Sequence, residues 1–218
     1  TVTAAGVFGG ELYLTQIGDS RGYLVRNGET YQLTRDQSLT QRLVDAGELT
    51  EEEAEQSERR NIILQALGPD PRVKVDLSHQ QLRRGDILIL CSDGLSGVVR
   101  REELAQMVAS SPDLPSLCSA LIDLANERGG PDNVTVVAVR FDGEGLPAAG
   151  DGGGAGYEVY HVPEQESAEP STLPPAPPLV PPSPGPAGPF PTAPQRRGSL
   201  LVVAALVALL ALILKAIL

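Results

Sequence analysis

Proline placement divides this chain before any other property does. Fourteen of its 19 prolines fall between Pro147 and Pro194, and a GDGGGAG run at 150–156 stands near the start of that stretch. Proline has no backbone N–H to give a helix or a ladder, and glycine loses the most conformational freedom on ordering, so such a stretch builds no core. Residues 147–198 are therefore expected to be a disordered Pro/Gly-rich linker, partly polyproline in character, that works as a tether. Beyond Arg196-Arg197 the chemistry reverses. Leu200 to Leu214 is an unbroken apolar run of 15 residues, and Lys215-Ala-Ile-Leu completes the chain. Read as one helix, 199–218 spans about 30 Å at ~1.5 Å per residue, enough for the hydrocarbon core of a bilayer. Lys215 can snorkel to headgroups at one end, and the arginine pair at the other favours the cytosolic face. The sequence thus predicts a single-pass transmembrane helix at 199–218, with the N-terminal domain at a membrane and in the cytosol.

Residues 1–146 are left to hold the chemistry, and their length suits one domain. They carry 14 basic and 23 acidic side chains within a chain of net charge −11. A protein that neutralises a polyphosphate backbone needs a basic patch, so nucleic acid is excluded as a partner. Cys91 and Cys118 are the only cysteines. Two are too few for a disulfide framework or a thiolate zinc site, and both lie in apolar runs, as small core side chains do.

Hydrophobic periodicity gives strands over 2–8 and 11–17, then a hairpin of 22–26 with 29–33 across Asn27-Gly28. A helix over 38–46 ends at Gly47, and Thr50 with Glu53 forms a capping box for a second. Strands follow at 73–77 and 86–92, helices at 101–110 and 113–127, and a strand at 133–141. Hairpins interleaved with helices indicate an α+β domain. DILILCS and NVTVVAV are nearly all apolar, so both faces of each strand should be covered, as in a β-sandwich flanked by helices.

Three aspartates stand where strands meet loops: Asp19 after ELYLTQIG, Asp93 after ILILCS and Asp132 before NVTVVAV. Gly-Asp-Ser, Asp-Gly and Pro-Asp-Asn are also turn formers, so position alone does not separate a turn from a ligand. If the last two strands pair antiparallel, Asp93 and Asp132 converge at one sheet edge. Clustered carboxylates repel unless a cation neutralises them, and oxygen-only donors suit Mg²⁺ or Mn²⁺. Ser20, Ser92 and Ser96 lack a nucleophile-elbow pattern, and His79 and His161 have no partner at motif spacing, so a serine hydrolase is disfavoured.

GELYLTQIGDSRGYLVRNGETYQLTRDQS, LVDAGELTEEEA, RNIILQALG, RGDILILCSDGLSGVV and GGPDNVTVVAVRF follow one another through residues 10–141. In order and spacing they resemble the bacterial metal-dependent Ser/Thr protein phosphatases of type 2C. The resemblance implies a sandwich between helical layers (αββα) that holds two or three Mn²⁺ or Mg²⁺ ions in a complete domain. It implies Asp93 and Asp132 as ligands of the catalytic pair, Asp19 with Asp93 as ligands of a third ion, and a flap at about 36–66 hinged near Gly47 and Gly68. The activity implied is hydrolysis of phosphoserine and phosphothreonine in proteins by metal-activated water. Phosphorylated proteins would be the partners, a transmembrane Ser/Thr kinase among them.

Two departures accompany the match. The family segment with an early Arg and Asp-Gly-Met-Gly-Gly is absent before Thr1-Val2-Thr3, so the domain is expected to be incomplete at its N-terminus. It is either a fragment of a longer product or an inactive pseudophosphatase, a membrane-anchored interaction module. In the flap, Gln37 replaces a frequent His and Ser57-Glu58 a common His-Pro.

Overall fold

A computed structural model describes residues 1–70, 72–148, 150 and 154–162. The transmembrane helix expected at 199–218, and the linker beyond Val162, lie outside the described residues. Among the described residues no helix is long and apolar enough to cross a membrane.

Among the described residues twelve elements run in chain order: β1 (Val2–Phe8), β2 (Glu11–Ile17), β3 (Arg21–Arg26), β4 (Glu29–Gln32), α1 (Leu39–Asp45), α2 (Glu51–Gln56), β5 (Asp76–Gln81), β6 (Ile87–Cys91), α3 (Asp93–Ser96), α4 (Arg101–Ser110), α5 (Leu114–Glu127) and β7 (Val136–Arg140). They form two antiparallel sheets, ordered β1-β2-β5 and β4-β3-β6-β7. Asn27 and Gly28 both take positive φ, the backbone that a two-residue hairpin between β3 and β4 requires. Thr50 and Glu53 close the expected capping box, with Glu53 N donating to Thr50 Oγ1 at 3.2 Å and Thr50 N to Glu53 Oε2 at 2.8 Å.

Alternation along the strands builds two cores. Leu12 and Leu14 of β2 meet Leu24, Leu33, Leu82 and Leu88 between the sheets. On the other face of the four-stranded sheet, Tyr23, Val25, Ile87, Ile89 and Cys91 pack against Leu104, Leu117 and Leu121 from α4 and α5. Each fully buried leucine contributes about 1.5–3 kcal/mol relative to exposure. Burial pushes the Cys91 thiol up to about 12 and the Tyr23 phenol up to about 12, so neither ionises near neutral pH. A buried ion pair joins β3 to the turn before β6 within the four-stranded sheet, and its arginine also reaches the end of β5 in the other sheet. Arg26 donates to Asp86 Oδ1 at 2.9 Å, to Asp86 Oδ2 at 2.7 Å and to the Gln81 carbonyl at 2.8 Å, and both side chains are almost wholly buried.

On the surface, Arg128 after α5 binds Glu103 of α4, and this hydrogen bond lowers the Glu103 carboxyl to about 2. A depressed carboxylate stabilises the fold above its unfolded value and loses that contribution as pH falls from about 4.5 through about 2. The pair is exposed, so its share of stability is small.

Three sequence expectations are corrected. The strand expected at 73–77 is β5, shifted to Asp76–Gln81. Its inward side chains are polar: Ser78 donates to the Leu33 carbonyl at 2.7 Å and Gln80 accepts from Gly156 N at 3.1 Å, so no apolar alternation marks it. The compact unit reaches Val162 rather than residue 146. Within the stretch expected to be disordered, the chain from Gly156 to Tyr160 lies along the free edge of β5. His79 N donates to the Glu158 carbonyl and Tyr160 N to the Leu77 carbonyl, both at 2.9 Å, while Tyr157 donates to Asp76 Oδ2 at 2.7 Å. An open sheet edge offers unpaired donors and acceptors, and this segment takes them up. Among the described residues one helical layer of the incomplete αββα sandwich lies on the four-stranded sheet. α4 and α5 cover the four-stranded sheet, whereas the outer face of the other carries Tyr13, His79 and Tyr160, with Tyr160 edge-on to both rings. Finally, β7 is not covered on both faces: Val137 is 49% exposed and Val139 37%.

Candidate metal centre

Strand register brings the chemistry to one end of the sandwich. Arg21 at the start of β3 pairs with Cys91 at the end of β6, which pairs with Val136 at the start of β7. Asp93, just past β6, and Asp132, just before β7, therefore border the same sheet edge. Ser92 joins their loops, donating through Oγ to the Asn133 carbonyl at 3.0 Å and accepting from Thr135 N at 3.0 Å. Gly94 is required there, because a Cβ at this position would stand 2.5 Å from the Asn133 carbonyl oxygen.

Asp19 reaches the same end from the β2–β3 turn, which opens at Gly18 with φ +104°. Its carboxyl is raised above the usual range by burial, then by the charges of Asp93 and Asp36. No other side chain among the described residues hydrogen-bonds it. Asp36 is neutralised locally, since Arg21 donates to its carboxylate from Nε at 3.0 Å and from Nη2 at 2.8 Å. Asp19 and Asp93 are left with no cationic side chain bonded to them, only backbone N–H groups, that of Asp19 itself and that of Gly94.

Asp132 is not drawn into that pair. Its Oδ1 accepts from its neighbour Asn133 N at 2.6 Å, the same local bond that Asp93 Oδ1 takes from Gly94 N at 3.0 Å. Among the described residues no group of three His, Cys, Asp or Glu side chains stands close enough to hold a metal ion. The expected convergence of Asp19, Asp93 and Asp132 is therefore partial. Asp19 and Asp93 fit a hard divalent cation that keeps most of its water shell, since Mg²⁺-like ions are commonly held by one or two carboxylates. Asp36 and Arg21 were not anticipated as part of this electrostatic arrangement; their signal lay in the TRDQS and GDSR segments, which the fold brings side by side.

No protein-family model matches the chain. It is 39% identical over 142 residues to the serine/threonine phosphatase stp of Listeria monocytogenes, an alignment covering 65% of this chain and 56% of that protein. Its relatives are bacterial Ser/Thr phosphatases. Among solved structures it resembles the serine/threonine phosphatase PstP/Ppp of Mycobacterium tuberculosis, with a TM-score of 0.61 and 42% identity over 65% of this chain and 59% of the other. The catalytic domain of PstP solved in complex with two manganese ions gives a TM-score of 0.55 and 43% identity, over 62% and 56% of the two chains. The chain thus spans somewhat more than half the length of these phosphatases, and the α+β arrangement of sheets and helices is common to them.

Proposed function

We propose that this chain carries part of a metal-dependent protein phosphatase that hydrolyses phosphoserine and phosphothreonine, with Mn²⁺ or Mg²⁺ as the cation. The convergence of Asp19 and Asp93 supports this reading most directly, and the similarity to bacterial Ser/Thr phosphatases agrees with it. Such an ion, when bound, lowers the pKa of water and screens phosphate charge. The chain's own part is to supply Asp19 and Asp93 as oxygen ligands and to keep the two aspartate-bearing loops in register through Ser92. Asp132, on the adjoining loop, is available as a further ligand if its side chain turns from Asn133 N. Cys91 is too buried and too weakly acidic to act as a nucleophile, so attack by water fits the site better than a covalent intermediate.

The apolar run at 199–218 and the arginine pair before it support a tether on the cytosolic face of a membrane. Tethering raises the effective concentration of membrane-proximal phosphoproteins, a juxtamembrane phosphosite of a transmembrane Ser/Thr kinase among them. A second reading, a non-catalytic interaction module, draws on the lack of a three-ligand cluster among the described residues. One assay separates the two. The protein expressed at full gene length should release phosphate from a phosphothreonine peptide with Mn²⁺ and fall to background in EDTA. Full activity in EDTA would refute the metal-dependent reading, and no activity with either Mn²⁺ or Mg²⁺ would favour the module.

A further inference from the structure

The loop that carries Asp19 is held by neutral amides. Gln16, on the inward face of β2, donates through Nε2 to the Gly18 carbonyl at 3.0 Å and to the Ser20 carbonyl at 2.6 Å, the two carbonyls that flank Asp19. Its Oε1 accepts from Thr3 Oγ1 at 2.5 Å, which fixes the orientation of the amide. Gln37 meets the loop from the other side. Its Oε1 accepts from Gly18 N at 2.9 Å, and its backbone N donates to the Gly18 carbonyl at 2.8 Å. Gln65 completes the arrangement, donating to Gln37 Oε1 at 2.9 Å and to the Lys74 carbonyl at 2.8 Å while accepting from Lys74 N at 2.7 Å.

These bonds grip the backbone on both sides of Asp19 and leave its carboxylate without a donor from another side chain. Here the backbone is fixed by side chains other than that of Asp19, whose carboxylate is bonded by its own backbone N–H. Glutamine amides do not titrate, so they hold the loop equally at any physiological pH and add no charge to the Asp19–Asp93 pair.

We propose that Gln16 and Gln37 are positioning residues that set Asp19 at its distance from Asp93 for a divalent cation, an inference resting on the metal-binding reading of that pair. Partners that orient metal ligands from behind typically contribute about 10–100-fold to metal affinity. Gln37→Leu, at a partly exposed site, removes the bond to Gly18 N. Gln16→Met, similar in shape but with no amide, removes the two carbonyl bonds without opening a large cavity.

The test is made on the protein at full gene length, with Mn²⁺ alone as the probe. Mn²⁺ affinity is read from the electron paramagnetic resonance signal of the free ion, and hydrogen exchange is followed at Gly18. Gln37→Leu should accelerate Gly18 exchange and weaken Mn²⁺ binding by at least about tenfold. Gln16→Met should weaken binding by a similar factor, with its thermal unfolding transition still cooperative. Faster Gly18 exchange with unchanged Mn²⁺ affinity would show that the glutamines merely close a loop, and would overturn the positioning role while leaving the metal site intact. Unchanged Gly18 exchange in Gln37→Leu would overturn it also. A wild-type protein that binds no Mn²⁺ would refute the metal site itself, and the positioning role with it.

Discussion

Asp93→Asn is expected to lower Mn²⁺-dependent phosphate release by at least about 100-fold in the protein expressed at full gene length. The substitution keeps the shape and the hydrogen bond from Gly94 N to Oδ1, 3.0 Å in the native chain, so α3 and the Ser92 bridge should stay in place. What it removes is the formal charge that, with Asp19, makes this end of the sandwich attractive to a cation. Asp93 and Asp36 both raise the Asp19 carboxyl. With one repelling charge gone, Asp19 should ionise more readily even as the pair loses its grip on a divalent ion. Steady-state rates with p-nitrophenyl phosphate at several Mn²⁺ concentrations check this. Partial recovery at high Mn²⁺ would locate the loss in affinity, and a rate within twofold of wild type at all concentrations would remove Asp93 from the site.

The second large effect concerns stability. Asp86→Ala leaves Arg26 buried without its carboxylate, and it also takes the acceptor from Arg83 N, which donates to Asp86 Oδ2 at 2.8 Å. Breaking a buried pair from one side costs about 3–5 kcal/mol, because the remaining charge stays out of water. For a compact unit of this size that corresponds to a fall in unfolding temperature of roughly 6–20 °C. Arg26→Met combined with Asp86→Ala should recover part of the loss, since no charge is then left uncompensated. Thermal and urea unfolding monitored by circular dichroism measure both. A loss below about 1 kcal/mol for Asp86→Ala would mean that the Arg26–Asp86 pair does not hold β3 to the start of β6 as described.

How much of this was legible in the sequence depended on whether a local signal carried the tertiary information. β2 and β6 were readable because Leu12, Leu14, Ile87, Leu88 and Ile89 are apolar and buried where periodicity demands it. The β3–β4 hairpin was readable from Asn27-Gly28, and the start of α2 from Thr50 with Glu53, since both signals act within four residues. β5 was displaced because its inward positions hold Ser78 and Gln80, whose burial is made tolerable by hydrogen bonds from segments far along the chain. The Gly156–Tyr160 pairing was hidden by glycine-rich composition, although Tyr157 and Tyr160 supply the contacts that hold it.

The candidate site was legible in the same uneven way. Strand ends placed Asp93 and Asp132 at one sheet edge, while the pairing of Asp19 with Asp93 came only from the family resemblance; in the fold the Asp93 charge acts on Asp19. Asp132 shares the edge, and its side chain accepts from Asn133 N just as Asp93 accepts from Gly94 N, so this local bond does not separate a turn-former from a ligand. Gln16 and Gln65 carried no recognisable signal, because a neutral amide has no charge pattern or period that separates a surface glutamine from one locking a loop, and Gln37 stood out only as the replacement for a frequent His.

A titration of Mn²⁺ into the wild-type protein, Asp19→Asn and Asp93→Asn, read by electron paramagnetic resonance, tests most directly whether Asp19 and Asp93 form one cation site. Saturable binding in wild type, weakened at least about tenfold by either substitution, is the expected result. Binding of equal strength in all three proteins would place any bound ion elsewhere and contradict the account.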